Sequence, residues 1–314
     1  MGKKITGYYS IVKTFTQDGI KLIEKSYPLP FLTYTEIEEL RQRMLLQRHA
    51  FEELHIPISE QVSLNILKTG RNFKIVSLEK FEGHDFVEIV DNTNLEMYLD
   101  RMLFDIYQPL LNSTKNDYLS AGIDTVVRNY VYRPKSNEFC YVDFMPPKVS
   151  YKGHYLQEVP EISGPFYDIR LQMHNERAGV VYALYVNLSR IFPLKRRFIV
   201  SKIEQFLQEI NETELSKYIT GSPFYRLDSA SKAIQLVRDM KDWKGINYLL
   251  LREAACAAVD FNHKFAAELD DFFKMTHHET NPDSEDYGML PAKKFDEAKA
   301  KLIKVFSEHG SKIN

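Results

Sequence analysis

The sequence predicts an α+β protein in which a small antiparallel β lobe, containing one helix, precedes a larger, mainly helical lobe. Two observations predict this order. Over roughly the first 80 residues apolar and polar side chains alternate with the period of two that is typical of strands, whereas beyond about residue 94 the apolar side chains recur at helical spacing. The predicted order is therefore strand, strand, helix, strand, strand, followed by helices that one short β-rich segment interrupts.

Two hairpins are predicted in the β lobe. Asp18-Gly19 lies between the first two strand-like runs, and Thr69-Gly70 lies between the second two. Asp-Gly is a strong hairpin signal because a two-residue turn needs positive φ at its central positions. The predicted strands cover residues 8–15, 20–27, 61–67 and 72–81.

A helix is predicted between the hairpins, over residues 35–54. Thr35 and Glu38 have the spacing of a capping box at its start. Ile37 and Leu40 begin its apolar face. Further helices are predicted at residues 94–111, 170–192, 196–218, 228–240, 244–275 and 292–309.

Composition and charge exclude several classes of protein. With 44% hydrophobic and 27% charged residues among 314, the chain has the composition of a folded protein. A net charge of −2 gives no general reason to expect a nucleic acid or an anionic membrane as a partner. The only cysteines are Cys140 and Cys256, which excludes a disulfide framework and a cysteine-rich zinc site. Cys140 lies inside an apolar run and is predicted to be a core thiol.

The apolar segments of the chain predict its location. The first residues contain no apolar leader of the kind that directs secretion. The longest apolar stretch, residues 178–192, is too short and too polar to span a bilayer. Together with the low cysteine content, these features predict a cytoplasmic protein.

Three polar residues in the β-rich segment, residues 120–149, are the candidates for chemistry. Asn129 follows Asp124 by five positions, and Asp143 follows Asn129 by fourteen. Asn129 opens one β-prone run and Asp143 closes the next, with a polar turn between the two runs. A carboxylate at the end of an apolar run is costly to bury unless a cation or a hydrogen-bond donor accompanies it.

Transfer of a phosphoryl group from ATP needs residues of these types. One carboxylate orients or deprotonates the acceptor hydroxyl, while a second carboxylate and an amide oxygen hold Mg²⁺ against the phosphates. In that scheme Asp124 is the catalytic residue, and Asn129 and Asp143 are the metal ligands. The structural alternatives are a turn or N-cap role for Asp124, a strand-edge amide at Asn129, and ion pairing of Asp143 with Arg128 or Arg133.

This segment resembles the catalytic hairpin of the protein-kinase-like phosphotransferases, a group that includes the aminoglycoside phosphotransferases and choline-kinase-like enzymes. Asp-x4-Asn, the following hairpin and Asp143-Phe144 carry the resemblance, and the order of the preceding elements agrees with it. The resemblance implies a two-lobed protein-kinase-like fold that binds ATP and Mg²⁺. It divides the chain into an N-terminal lobe (residues 1–81), a hinge (82–87) and a C-terminal lobe (88–314) that contains the hairpin.

The resemblance also implies an ATP site in the N-terminal lobe. Lys25, in the second predicted strand, would contact the α- and β-phosphates, with Glu39 of the following helix as its partner. Gly7 and Ser10 would belong to the phosphate loop. The alternatives are a surface lysine at Lys25 and, for the other candidate partner Glu38, a role in capping the helix.

Departures from the family pattern favour a small-molecule substrate over a protein substrate. Neither histidine nor arginine precedes Asp124 at the motif spacing, Met145 stands where the Asp-Phe-Gly motif has glycine, and the phosphate loop offers only Gly7. We therefore expect an ATP- and Mg²⁺-dependent phosphotransferase that acts on a hydroxyl of a small molecule. The alternative is a catalytically degenerate relative that binds a nucleotide or a partner without transfer.

Overall fold

The computed structural model describes residues 4–6, 11–28, 33–113, 119, 121–144, 150–151, 154–155, 174–240, 245–277 and 290–310. These residues form two compact units, the first from the described parts of Met1–Asp124 and Arg128–Glu161, the second from those of Thr125–Val127 and Ile162–Asn314. The described strands all belong to the first unit, whereas the second is helical. The α+β class and the order of elements are confirmed. The predicted hinge, residues 82–87, lies within the first unit, and its role as a hinge stays a prediction.

Five antiparallel strands form the main sheet of the first unit. They are β1 (Lys4–Thr6), β2 (Ile11–Gln17), β3 (Ile20–Pro28), β4 (Gln61–Thr69) and β5 (Asn72–Lys80), in the order β1-β2-β3-β5-β4. Both predicted hairpins are confirmed. Asp18 and Gly19 have φ of 51° and 77°, and Gly70 has φ of 63°, which explains the turn residues at these positions. Gly7 and Ser10 lie outside the described residues.

Helix α1 (Tyr34–Glu53) connects the two hairpins and packs against β4 and β5. Its capping box is formed by Thr33 and Glu36, not by Thr35 and Glu38 as predicted. The Glu36 N–H donates to the Thr33 hydroxyl at 3.4 Å, and the Thr33 N–H donates to the Glu36 carboxylate at 2.6 Å. Both pairs have the required spacing, and the earlier pair adds residues to the hydrogen-bonded helix.

A second, three-stranded antiparallel sheet holds the β-rich segment. Its strands are β6 (His84–Asp85), β7 (Tyr130–Arg133) and β8 (Glu138–Tyr141), in that order. Gly83 leads into β6, and a Cβ there would lie 2.0 Å from the Tyr132 carbonyl oxygen, so only glycine allows this approach. Cys140 is buried in β8, as predicted, and burial raises the pKa of its thiol to about 12. Two further short strands, β9 (Ser150–Tyr151) and β10 (His154–Tyr155), pair with each other.

The helix predicted at residues 94–111 is present with a π-helical turn at its centre. After the short α2 (Phe86–Ile89), the chain forms α3 (Leu95–Met102), the π turn Leu103–Tyr107 and α4 (Gln108–Asn112). A π turn inserts one extra residue into a helix. Asp105 within it accepts a hydrogen bond from the Phe139 N–H of β8 at 2.8 Å. The turn therefore ties this helical segment to the second sheet.

The second unit is built from helices. The predicted helix at 196–218 ends at Glu209, because Asn211 has φ of 60° and stops it. The predicted helix at 244–275 is interrupted at Asn262, whose side chain accepts from the Lys264 N–H at 3.2 Å. None of the described helices is long and apolar enough to cross a membrane. The helices are α5 (Arg177–Ile191), α6 (Arg196–Glu209), α7 (Lys217–Thr220), α8 (Ala230–Asp239), α9 (Gly245–Phe261), α10 (Leu269–Met275) and α11 (Ala292–Gly310), with 3-10 turns at Pro193–Lys195, Thr213–Ser216 and His263–Glu268.

Candidate functional site

The β7–β8 hairpin brings the backbones of Asn129 and Asp143 to the same end of one sheet. Tyr130 pairs with Tyr141, so Asn129 lies one step before β7 and Val142 lies one step after β8. The Val142 N–H donates to the Asn129 carbonyl oxygen at 3.0 Å and extends the ladder by one bond. Asp143 follows directly. Residues that are far apart in the sequence therefore become neighbours across the hairpin.

Lys25 reaches the same end of the hairpin from the main sheet. It lies on β3 and is 8% exposed, which excludes the alternative of a surface lysine. Its ammonium donates to the backbone carbonyl of Val142, the residue before Asp143. It also pairs with the Glu79 carboxylate of β5, with Nζ and Oε2 3.1 Å apart. Two of its three N–H groups are thus engaged within the described structure.

Glu79 is the centre of a buried polar cluster. It is 3% exposed, and the hydroxyls of Ser59 and Ser77 donate to its carboxylate beside the Lys25 ammonium. Burial alone would raise the pKa of Glu79. The charges of Lys25 and Arg48 and the two hydroxyl donors outweigh burial and lower this pKa instead. Glu79 therefore stays ionised at neutral pH and keeps a charged partner for Lys25.

The ion pair predicted between Lys25 and Glu39 is not formed. Glu39 is exposed on α1, and its neighbour Glu38 pairs with Arg41 on the same helix at 2.5 Å. The carboxylate that meets Lys25 is Glu79. β5 is the direct neighbour of β3, so a glutamate on the same face of the sheet lies closer to the lysine than a residue on the helix does.

Two buried tyrosines hold the backbone at Asp124. The Asp124 N–H donates to the Tyr141 hydroxyl at 3.0 Å, and the Tyr130 hydroxyl donates to the Asp124 carbonyl at 3.2 Å. Burial first, and then the negative charges of Asp143 and Asp124, raise the pKa of Tyr141. Both carboxylates therefore act on one phenol. The three residues predicted to carry chemistry are gathered around a single hairpin.

The two arginines considered as partners of Asp143 have other partners. Arg128 pairs with Asp85 at 3.0 Å, and Arg133 pairs with Glu82 at 2.9 Å. These ion pairs connect the hairpin to the chain segment that precedes α2. The alternative in which Arg128 or Arg133 is the donor for Asp143 is thereby disfavoured.

Phe144 anchors the residue that follows Asp143. Its ring is 2% exposed and lies against the Arg48 guanidinium of α1, 4.3 Å from the ring centre. Phe51 and Tyr141 meet the same ring edge-on, with centroids 5.9 and 5.5 Å away. Helix α1 therefore contributes a cation and an aromatic ring to this cluster, where the resemblance implied a carboxylate.

The side chain of Asn129 is suited to a metal ion. Its amide nitrogen is buried and has no hydrogen-bond partner in the part of the chain that the structure describes. An amide oxygen can bind a cation, and the backbone of Asp143 lies at the same end of the hairpin as that of Asn129. Among the described residues no group of three His, Cys, Asp or Glu side chains could hold a metal ion. One amide and one carboxylate do fit Mg²⁺ that takes its remaining ligands from phosphates and water.

The sequence predictions missed Glu79 and Arg48, although each had a local signal. Ile75 and Glu79 fall on the same side of an alternating strand, so a buried face at Ile75 implies a buried carboxylate at Glu79. Arg48 lies in the stripe of α1 that includes Met44 and Phe51. A charged residue inside an apolar stripe signals a buried partner.

No protein-family model matches the chain, and no curated protein matches it. Function is therefore inferred from the residues and contacts of the chain itself.

Proposed function

We propose that the first unit binds ATP with Mg²⁺ and that the protein transfers the terminal phosphoryl group to a hydroxyl of a small molecule. One observation carries the proposal: the backbone of Val142 connects Lys25, Asn129 and Asp143. Its carbonyl accepts a hydrogen bond from Lys25, its N–H donates to the Asn129 carbonyl, and Asp143 is the next residue. A fixed ammonium, an amide and a carboxylate are the groups that a magnesium–nucleotide complex requires. The strand, strand, helix, strand, strand order supports the protein-kinase-like fold that the resemblance implies.

Lys25 is suited to bind phosphate oxygens. Glu79 and the Val142 carbonyl hold its ammonium in place, and Glu79 supplies a counter-charge. A donor that is fixed before the ligand arrives loses little conformational freedom on binding. The third N–H of Lys25 is the one that would meet a phosphate oxygen.

Asn129 and Asp143 are the residues that would hold Mg²⁺, whose charge when bound offsets that of the phosphates. The hydrogen bond between Val142 and Asn129 fixes their two backbones relative to each other. The packing of Phe144 against Arg48 fixes the chain on the other side of Asp143. Both side chains therefore project from restrained positions.

Asp124 is the residue that would act on the acceptor. Its side chain is partly exposed, while its backbone is held by Tyr130 and Tyr141. The Asp124 carboxylate accepts the hydrogen bond of the acceptor hydroxyl and takes its proton as the hydroxyl oxygen attacks phosphorus. A bond forms between that oxygen and the terminal phosphorus, the bond from phosphorus to the bridging oxygen breaks, and ADP is the leaving group.

A second candidate function is nucleotide binding without transfer. The observation that favours it is the burial of Lys25, which is 8% exposed and already makes two bonds within the protein. A lysine committed in this way contributes to a folded nucleotide site even where no acceptor is bound. The two functions share a ligand and differ in turnover.

The first experiment measures binding of Mg²⁺·ATP to the 314-residue chain by calorimetry and by thermal stabilisation. We expect magnesium-dependent binding that Asn129→Ala weakens by roughly tenfold or more, as for loss of a metal-site residue. Because the Asn129 amide nitrogen has no hydrogen-bond partner among the described residues, this variant should keep its free energy of unfolding within about 0.5 kcal/mol. Asp143→Asn, which removes the other proposed metal ligand, should weaken this binding as well, and Asp271→Asn, at an exposed carboxylate of the second unit, is its control. A wild-type protein that binds no nucleotide in the presence of magnesium contradicts both functions.

The second experiment measures ATP turnover over a panel of hydroxyl acceptors, with water included. Asp124→Asn should lower kcat by about 10²- to 10⁴-fold, the usual contribution of general-base catalysis. Its nucleotide affinity should stay close to that of the wild type, because Asp124 is not a phosphate or metal contact in this scheme. Nucleotide binding without turnover on any acceptor would favour the second candidate.

A further inference from the structure

Three buried tyrosine hydroxyls lie around the backbone of Asp124: those of Tyr107 and Tyr130 form a chain that ends on its carbonyl oxygen, and that of Tyr141 meets its nitrogen. Tyr107 of the π turn, Tyr130 of β7 and Tyr141 of β8 are each no more than 1% exposed. The hydroxyls of Tyr107 and Tyr130 lie 2.5 Å apart, and the Tyr130 hydroxyl lies 3.2 Å from the Asp124 carbonyl oxygen. The Tyr141 hydroxyl lies 3.0 Å from the Asp124 nitrogen.

The chemistry of these groups fixes the direction of each hydrogen bond. A carbonyl oxygen can only accept, so Tyr130 donates its single proton to Asp124. Tyr107 must then donate to the Tyr130 oxygen. A backbone N–H can only donate, so the Tyr141 hydroxyl is the acceptor for Asp124.

These two bonds act on the two peptide groups that flank Asp124. The N–H belongs to the peptide before its Cα and the carbonyl to the peptide after it. Holding both peptide planes restricts φ and ψ, and hence the direction of the bond from Cα to Cβ. The segment from Gly122 to Val126 has no regular secondary structure, so a β ladder or helix does not supply this restraint.

We propose that Tyr130 and Tyr141 are positioning residues for Asp124 and fix the direction of its carboxylate toward the acceptor hydroxyl. The inference rests on the proposed phosphotransfer. The inference adds to that proposal. No histidine or arginine precedes Asp124 at the motif spacing, and tyrosines on the two strands would restrain the Asp124 backbone instead. Tyr130 follows Asn129 directly and Tyr141 precedes Asp143 by two residues, so the same two strands would position the metal ligands.

The test compares three substitutions that each remove one oxygen atom and leave the ring in place. Tyr141→Phe removes the acceptor for the Asp124 N–H, and Tyr130→Phe removes the donor to its carbonyl. Tyr107→Phe is the matched control, because it removes a buried hydroxyl of the same chain but no bond to Asp124. ATP turnover is measured with water or with the best acceptor of the panel, and each variant is also melted.

We expect kcat to fall by about tenfold to hundredfold in Tyr141→Phe and Tyr130→Phe, the range for a catalytic group displaced by a fraction of an ångström to about 1 Å. KM for ATP should change by less than about twofold, since the nucleotide contacts are elsewhere. Tyr107→Phe should keep nearly wild-type kcat even if its Tm falls by as much as the Tm of the other two variants. In an Asp124→Asn background, Tyr141→Phe should cause no further loss of kcat, because both substitutions remove the same contribution.

Two outcomes overturn the inference separately from the proposed function. If wild type turns ATP over and both phenylalanine variants keep the kcat of Tyr107→Phe, phosphotransfer stands and the positioning role is wrong. If losses from Tyr141→Phe and Asp124→Asn simply add, the tyrosine acts on something other than Asp124. If Tyr130→Phe fails to fold, Tyr141→Phe decides alone. A wild-type protein without turnover overturns transfer, and the positioning role with it.

Discussion

Two buried glutamates, one in each unit, have pKa values that are shifted in opposite directions. Glu79 on β5 is 3% exposed and Glu253 on α9 is 0% exposed, so burial alone would raise both pKa values. The pKa of Glu79 is nevertheless lowered, whereas that of Glu253 is raised. Similar burial has opposite consequences at the two positions.

The partners of each carboxylate explain the difference. Glu79 has the Lys25 ammonium at 3.1 Å. Glu253 has hydroxyl donors: Tyr185 at 3.0 Å, together with Tyr182 and Ser222. A hydroxyl satisfies a lone pair but supplies no formal charge to replace the lost hydration.

A cation near Glu253 does not reverse the outcome. Arg196 donates to the Tyr185 hydroxyl at 3.0 Å and pairs with Asp260, so its charge is shared and lies one hydroxyl away from Glu253. The comparison teaches that direct contact with a cation decides whether a buried carboxylate stays charged. The cluster around Lys25 therefore holds a buried ion pair, whereas the tyrosine hydroxyls that donate to Glu253 join α5 to α9.

The largest expected effect is that of Glu79→Gln, which should lower the free energy of unfolding by about 3–5 kcal/mol. It leaves the ammonium of Lys25 buried without its carboxylate partner and removes a negative charge near the guanidinium of Arg48. The same substitution at the other position, Glu253→Gln, should lower the free energy of unfolding by no more than about 1 kcal/mol, since the glutamine oxygen still accepts a hydrogen bond from a hydroxyl. Urea unfolding at neutral pH measures both. Equal losses would break the comparison.

A smaller loss, about 1–3 kcal/mol, is expected for Arg48→Met. It removes the hydrogen bond to the Ser59 carbonyl and the contact over Phe144, but leaves the pair of Lys25 with Glu79 intact. Arg41→Met is the control. Arg41 pairs with Glu38 near the surface, so this variant should lower the free energy of unfolding by less than about 1 kcal/mol. A loss from Arg48→Met larger than that from Glu79→Gln would make the arginine, rather than the carboxylate, the centre of the cluster.

Loss of a serine hydroxyl that donates to either glutamate should lower the free energy of unfolding by a smaller amount still. Ser77→Ala and Ser222→Ala each remove one donor, to Glu79 and to Glu253 respectively, at about 1 kcal/mol each. Ser136→Ala, which removes a surface hydrogen bond to the partly exposed Glu138 carboxylate, should change stability by less than about 0.5 kcal/mol. If Ser77→Ala cost as much as Glu79→Gln, hydrogen bonding rather than charge would govern the cluster. Thermal and urea unfolding of the three variants decide this.

The smallest expected effects are in pH dependence, and their signs are opposite. Because the folded pKa of Glu79 is lowered, its stabilisation is present above the unfolded value of about 4.3 and is lost as pH falls through the folded pKa. The deficit of Glu79→Gln should therefore shrink on acidification. Because the folded pKa of Glu253 is raised, its ionisation costs stability as pH rises from about 4.3 through the folded pKa. The free energy of unfolding of Glu253→Gln should therefore rise relative to that of the wild type as pH rises. Unfolding measured between about pH 3 and pH 7 tests the pH dependence expected for each variant.

Much of the fold could be predicted because its signals are local. The turns at Asp18-Gly19 and Gly70 need positive φ, and alternation then fixes the strands on either side. The candidate site was predictable in part for the same reason. Asn129 and Asp143 flank two β-prone runs joined by a short turn, so pairing of those runs brings their backbones together.

The partner of Lys25 was not predictable in this way. Its hydrogen bonds join it to residues 54 and 117 positions away, Glu79 and Val142. A glutamate on α1 and a glutamate on β5 are equally plausible partners until the packing of helix against sheet is known. The helix cap was misplaced for a related reason, since Thr33 and Thr35 both begin an acceptable capping box.

The sequence by itself determined the elements of this protein, namely its hairpins, the helix between them, the helical second half and the polar residues at the ends of β7 and β8. Alternation, helical spacing and turn residues act over a few positions, and one chain is enough to read them. Only the tertiary structure decided which buried charges meet, that Lys25 faces Glu79, that Arg48 lies on Phe144, and that tyrosine hydroxyls hold Asp124. Those choices depend on the side chains that distant segments bring within about 3 Å of each other, the range in which a buried polar group gains or loses its partner.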